Sequence, residues 1–129
     1  TLQGWKNEHL GRMEMLFHYT SCEVAELILT KGFLSSDLGM GGRGVYFTTI
    51  SPGKKVDGAS WPSVKFREDL LKSNYGDDWN NLSRQQSADA VIVCFVDQGI
   101  CVPVPGRDKA RVVRPEHLRN ASVFVVYRA

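Results

Sequence analysis

The side chains best suited to chemistry in this sequence lie in two short motifs. FHYTS (17–21) places His18 near the end of an apolar run, and GRGVYFTTISP (42–52) places Tyr46 just after a glycine turn. An imidazole can hydrogen-bond the hydroxyls of a sugar, and a phenol ring can stack on a flat heterocycle. Taken singly, His18 is typical of a structural histidine and Tyr46 of strand packing. A chemical role depends on the fold bringing the two together.

A glycine-rich stretch precedes Tyr46, with the spacing Gly39-x-Gly41-Gly42-x-Gly44. Such spacing is similar to a dinucleotide-binding loop, which needs a strand before the glycines and a helix after them. Here the β-branched and aromatic run 45–49 follows, and it predicts a strand. The glycines are therefore predicted to let the chain turn tightly against a ligand rather than to form a Rossmann phosphate loop.

The elements that position these motifs can be predicted from patterning. MEMLFHY (13–19) predicts a strand, and Thr20-x-x-Glu23 has capping-box spacing for the start of a helix that ends at Gly32. The apolar residues Val24, Leu27 and Ile28 share one face of that helix, so we expect this face to meet the core. Residues 1–13 are weakly patterned and predict an irregular arm.

The rest of the chain predicts one more helix and several strands. A helix is predicted to begin near Pro62, with Val64, Phe66, Leu70 and Leu71 as its apolar residues, and a long polar connection follows at 74–88. The predicted strands are 45–50, 89–97, 101–105 and 122–128. Strand 89–97 is apolar throughout, which indicates burial on both faces, and the prolines of 101–105 indicate a sheet edge. Helices come early and strands late, which is typical of an α+β domain.

Composition narrows the function classes. The 129 residues, 43% hydrophobic and 23% charged, fit one globular domain spanning 1–129. A net charge of +2 gives no argument for nucleic acid or an anionic membrane, and no apolar run approaches the roughly 20 residues of a membrane span. The sequence begins with Thr1 and shows no signal peptide, so we expect a domain from a longer protein. Three cysteines without zinc spacing indicate reduced thiols and a reducing compartment.

Together, HYTS, the following GF (32–33) and GRGVYFT resemble the ADP-ribosyltransferase superfamily. The similarity is to its histidine-tyrosine branch, which includes poly-ADP-ribose polymerases, diphtheria toxin and small bacterial toxin domains with an H-Y-D signature. It is specific over 16–52 and topological only over strands 89–97 and 122–128. The resemblance implies a split antiparallel sheet with about two helices around an NAD cleft, and NAD as a substrate from which nicotinamide is released.

The resemblance also implies a role for each matching residue. His18 would hold the adenosine ribose, the main chain of Tyr19 would hold the carboxamide, and Tyr46 would stack on nicotinamide. Thr20 would be a further NAD-binding residue. Ser51 lies near the position of a hydroxyl that binds the carboxamide in relatives. Arg43, beside Gly44, would reach the pyrophosphate if the glycine loop folds over the cleft. No metal is implied.

The third element of the family is an acidic residue near the start of the last long strand, where it binds the nicotinamide ribose. Here the preceding residues are RPEHLRNAS (114–122), and the position falls on Asn120, Ala121 or Ser122. Asn120 can accept a hydrogen bond but cannot act as a general base. Glu116 reaches the cleft only if its loop bends inward. Asp89 and Asp97, which flank another strand, are predicted to be turn or capping residues.

Three functions are compatible with these residues. The first is a mono-ADP-ribosyltransferase, a bacterial toxin or effector secreted or injected into the cytosol of a target cell. The resemblance implies a protein acceptor, such as ubiquitin for some effectors, with nucleic acid less favoured by the charge, no membrane partner, and an immunity protein as a further partner. The second is an NAD glycohydrolase with water as acceptor. The third is a non-catalytic domain that binds NAD, ADP-ribose or a partner.

Overall fold

The computed structural model describes residues 13–33, 43–81, 88–120 and 122–128, with the side chains from 119 onward excepted. The predicted arm falls almost wholly in 1–12, and Gly39, Gly41 and Gly42 fall in 34–42, so both lie outside the described residues. Among those described, six strands and two α-helices are present: β1 (Met13–Thr20), α1 (Cys22–Lys31), β2 (Val45–Thr48), α2 (Val64–Tyr75), β3 (Ala90–Asp97), β4 (Val102–Val104), β5 (Arg107–Val113) and β6 (Ser122–Arg128).

The strands form an antiparallel sheet in the order β4-β5-β2-β1-β3-β6. Both faces are covered. Ala25 of α1 lies in a buried cluster with Leu16 and Phe47, while Phe66 of α2 lies in a second cluster with Phe17 and Tyr19. Since β3 lies inside the sheet, its residues 90–94 and 96 are all buried, which confirms the burial predicted from its apolar run. The α+β class is confirmed as well.

The first helix differs from the sequence prediction in two respects. Thr20 ends β1, and Ser21 is the N-cap, its hydroxyl accepting a hydrogen bond from the Val24 N–H. The predicted buried face is wrong at two of its three residues, because Val24 and Leu27 are exposed by 42% and 51% of their surface. Ala25 is buried and Ile28 packs against the same cluster. The face that meets the sheet is set by where the chain leaves β1, and the small side chain of Ala25 permits a close approach.

The second helix is better predicted. It begins at Val64, which follows the N-cap Ser63 and lies two residues beyond Pro62. Its residues Phe66, Leu70 and Leu71 are buried as expected. Val64 is exposed instead. The helix continues to Tyr75, and a 3₁₀ turn (Gly76–Asp78) follows, so the polar connection predicted at 74–88 is partly helical.

Strand β5 was absent from the prediction. Four of the seven residues in its sequence, RDKARVV, are charged, yet it pairs with β4 on one side and β2 on the other. Two neighbouring strands satisfy the backbone of β5 whatever its side chains, and this overrides the low β-propensity of Asp and Lys. The short β4 lies at the sheet edge, as its proline indicates.

Candidate functional site

The ladder between β1 and β2 has the fewest paired positions in the central part of the sheet. These strands pair at one position, Phe17 opposite Thr48, whereas β1 pairs with β3 over eight positions and β2 with β5 over four. The two halves β4-β5-β2 and β1-β3-β6 therefore meet at a single point. The C-terminal end of β1 and the N-terminal end of β2 lie beyond that point on the same side, where ladder pairing has stopped. We call this region the β1–β2 opening.

His18 bridges the β1–β2 opening. Its Nδ1 lies 2.8 Å from the backbone carbonyl oxygen of Tyr46, 28 residues away in sequence. Because a carbonyl can only accept, Nδ1 carries the proton, and Nε2 of the neutral ring is left as an acceptor. Burial lowers the pKa of His18 below its ordinary value of 6.5, more than the bond to Tyr46 raises it. The neutral imidazole is thus the form present near pH 7.

Two phenylalanine rings fix the orientation of the imidazole. Phe33 and Phe47 contact it edge-to-face, with centroids 5.3 and 5.6 Å from that of His18. Phe33 follows Gly32, whose positive φ of 83° ends α1 and turns the chain back toward the sheet. The GF pair noted in the sequence therefore has a packing role beside His18. Because these contacts hold the imidazole ring, its Nε2 points in one direction.

Strand alternation decides which rings share a face. His18 and Phe47 are in ring contact, and Phe47 belongs to the cluster under α1. Successive residues of a strand point to opposite faces, so Tyr46 points to the other face, together with Tyr19. The structure thus brings the Tyr46 backbone to His18 but places the two rings on opposite faces of the sheet. Only a ligand that enters the β1–β2 opening would contact both.

A hydrogen bond to Ile50 brings Tyr19 close to Ser51, although the two motifs are far apart in sequence. The buried hydroxyl of Tyr19 donates to the carbonyl oxygen of Ile50 at 2.8 Å, next to Ser51. Ser51 is exposed, and its Oγ accepts from the Gly53 N–H at 3.2 Å, which leaves its own proton available to donate. Thr20 is half-buried at the end of β1. The bond therefore brings the chain next to Ser51 to Tyr19, while Thr20 ends β1 at the β1–β2 opening.

Gly44 has a clear steric reason to be glycine. A Cβ there would lie 2.6 Å from Val112 Cγ2 and 2.9 Å from the Val113 carbonyl oxygen, distances that real Cβ atoms do not adopt. The glycine lets β2 and β5 approach closely at the start of β2. Arg43 consequently sits at this end of the sheet, exposed, in the position where the glycine segment enters β2.

The acidic candidates are spread along the sheet. Glu116 is exposed on the 3₁₀ turn Pro115–Asn120. A hydrogen bond from its own backbone N–H lowers the pKa of Glu116, and electrostatic interactions with the neighbouring Arg43 and Arg114 lower it further. The turn brings Glu116 to the Arg43 end of β2. The side chain of Asn120 lies outside the described residues, so its prediction stays as made.

Asp89 and Asp97 have structural partners. The Asp97 carboxylate accepts from the Gly99 N–H at 2.8 Å, which confirms its predicted capping role. Asp89 forms an ion pair with Arg67 at 2.8 Å instead, joining the start of β3 to α2. Neither carboxylate is directed to the β1–β2 opening by these contacts.

One further carboxylate was missed because its strand was missed. Asp108 lies near the start of β5, exposed, and the next residue, Lys109, accepts a backbone hydrogen bond from Thr49 at 2.9 Å. Asp108 is therefore near the Ser51 end of β2, while Glu116 is near the Arg43 end. The available signal was the Pro105-Gly106 turn between two short valine-containing runs, which is typical of a hairpin.

Comparisons with protein-family models, curated proteins and solved structures each found no match to this chain. In the part of the chain that the structure describes, neither helix has the length and apolar character needed to cross a membrane. The same residues contain no group of three or more His, Cys, Asp or Glu side chains arranged to hold a metal ion. Burial raises the pKa of the Cys94 thiol to about 12, so it is an unreactive core residue as predicted.

Proposed function

We propose that this domain is an NAD-dependent mono-ADP-ribosyltransferase. The observation that carries the proposal is the β1–β2 opening, where the sheet is joined at one residue pair and His18 and Tyr46 meet from two distant motifs. A sheet that separates into two halves at this point is what the resemblance to the superfamily implies. The finer features, a fully split sheet and an NAD cleft, are part of the proposal.

The proposed chemistry is cleavage of the nicotinamide–ribose bond. The bond electrons leave with nicotinamide, the ribose carbon becomes oxocarbenium-like, and an acceptor then adds to that carbon and loses its proton. Nε2 of His18 accepts from a hydroxyl of the adenosine ribose, and the ring of Tyr46 stacks on nicotinamide on the other side of the opening. The main chain of Tyr19 and the hydroxyl of Ser51 hold the carboxamide. The protein thereby orients NAD for bond cleavage.

Geometry ranks the candidates for the third group. A group acting on the nicotinamide ribose should lie at the Ser51 end of β2, since Ser51 is proposed to hold the carboxamide. Asp108 lies at that end, whereas Glu116 lies at the Arg43 end, where the pyrophosphate is proposed to bind. We therefore add Asp108 to Asn120 and Glu116 as a candidate for the third group. The group is identified by the variant that lowers NAD turnover most among Asp108→Asn, Glu116→Gln and Asn120→Ala.

The biological setting follows from the resemblance. We propose a bacterial effector that acts in the cytosol of a target cell and modifies a protein side chain. The three cysteines are free, a state suited to a reducing compartment. The small net charge favours a protein over a nucleic acid as acceptor.

The test is incubation of the purified domain with NAD labelled in the adenylate part, with and without cell lysate, while free nicotinamide and labelled macromolecules are measured. Transfer predicts nicotinamide release together with label on a discrete protein. Nicotinamide release without label would instead show a glycohydrolase. Absence of both, with NAD binding retained, would show a binding domain and refute the proposal.

A further inference from the structure

Ile50 is fixed at three points although it lies outside the β2 ladder. Its N–H donates to the Thr48 hydroxyl at 3.2 Å, its carbonyl oxygen accepts from the Tyr19 hydroxyl at 2.8 Å, and its side chain is 5% exposed. Since buried backbone groups need partners, two side-chain hydroxyls here replace the missing strand neighbour. Both backbone groups of Ile50 are therefore hydrogen-bonded, as they are in a strand residue.

The residues after Ile50 depend on this attachment. Ser51 is exposed and adjacent, and its carbonyl oxygen accepts from Lys54 in a tight turn at 3.0 Å. Beyond the turn, the backbone N–H of Trp61 donates a hydrogen bond to the Pro52 carbonyl oxygen at 3.2 Å. Two kinds of contact reach this segment from β1: the side chains of Phe17 and Tyr19 share a buried cluster with Ile50, and the Tyr19 hydroxyl bonds the Ile50 carbonyl. The hydrogen bond is the directional contact of the two, and it fixes the backbone next to Ser51 relative to β1.

We infer that the hydroxyl of Tyr19 is a positioning group for Ser51. Through the Ile50 carbonyl it holds the Ser51 hydroxyl and the main chain of β1 at the separation that a carboxamide between them requires. This role is distinct from that of the Tyr19 main chain, and it rests on the proposed function. Tyr19 does not touch NAD through its hydroxyl, because that hydroxyl is buried and bonded within the protein.

The test separates positioning from a general loss of structure. Tyr19→Phe keeps the ring but removes the donor, so the Ile50 carbonyl loses its partner. If Ser51 contacts NAD equally in the ground and transition states, KM for NAD rises about tenfold and kcat stays within about twofold. A merely structural role would lower kcat, through a smaller folded fraction, with KM unchanged. Tyr75→Phe, at the end of α2, is the matched control and should leave both constants unchanged.

A double-mutant cycle tests whether Tyr19 acts through Ser51. If it does, Tyr19→Phe adds little once Ser51→Ala has removed the positioned hydroxyl, and the KM of the double variant is within about twofold of that of Ser51→Ala. Multiplication of the two single effects would overturn the inference. Independent tenfold effects would give about a hundredfold increase.

Amide exchange decides the question without activity. In Tyr19→Phe, the amides of Gly53 and Lys54, which are bonded to Ser51, should exchange about tenfold faster, while the amides of β3 stay unchanged. Unchanged exchange at Gly53 and Lys54 would overturn the attachment itself. If exchange accelerates but the wild-type domain releases no nicotinamide, the proposed function has failed, and with it the catalytic meaning of the attachment.

Discussion

Replacing His18 should have two separable consequences, because its two ring nitrogens have different tasks. Nδ1 donates to the Tyr46 carbonyl across the β1–β2 opening, and Nε2 is proposed to accept from the ribose. His18→Ala removes both nitrogens and the ring. His18→Asn also removes the ring, but its amide nitrogen occupies the region of Nδ1 and preserves a donor for Tyr46. The pair of variants therefore isolates the internal bond from the ligand contact.

The magnitudes follow from the contacts. Leaving the Tyr46 carbonyl without its donor costs about 1–3 kcal/mol, and each of the two edge-to-face ring contacts contributes about 0.5–1.5 kcal/mol. His18→Ala should therefore lose about 2–6 kcal/mol of unfolding free energy, or roughly 7–22 °C in Tm for a domain of this size. His18→Asn should be more stable than His18→Ala by about 1–3 kcal/mol. Urea denaturation and thermal melts measure both.

NAD turnover should depend on Nε2 rather than on Nδ1. Both variants lack Nε2, so kcat/KM for NAD per folded molecule should fall by roughly 10- to 1000-fold in each, the range for one lost transition-state contact. Wild-type turnover in His18→Asn would refute the ribose contact. Equal stability of the two variants would refute the internal hydrogen bond. Initial rates of nicotinamide release, normalised to folded protein, give the comparison.

Four further outcomes are expected. Tyr46→Ala should lower NAD turnover by at least tenfold while Tyr46→Phe keeps most of it, as measured by nicotinamide release, because stacking needs the ring alone. Gly44→Ala should lose about 1–3 kcal/mol of unfolding free energy in urea melts, since the added methyl meets Val112, and wild-type stability would contradict that close approach. The free energy of unfolding should decrease as the pH falls from about 6.5 through the lowered pKa of His18, because His18 binds a proton more readily in the unfolded chain than in the folded one. His18→Asn should remove that part of a urea-denaturation series from pH 8 to pH 5. Glu116→Gln should change NAD turnover less than twofold, and a tenfold loss would show that Glu116 acts in the site.

The sequence determined the local elements wherever one signal dominated. The unbroken apolar run of 89–97 predicted β3 and its burial, and Gly32 predicted the end of α1, whose φ of 83° suits glycine. The α+β class followed from the order of these elements. His18 and Tyr46 were selected from the sequence as a pair, and the structure brings their strands into contact.

Only the tertiary structure decided features that depend on neighbours distant in sequence. The charged strand β5 forms because β4 and β2 supply its hydrogen bonds, and the buried face of α1 is set by its departure from β1 rather than by Val24 and Leu27. The opposite placement of the His18 and Tyr46 rings depends on strand register, since a shift of one residue exchanges the faces. The sequence carries the pattern of each strand, but pairing between strands fixes which side chains meet, because those contacts form only when the chain is folded.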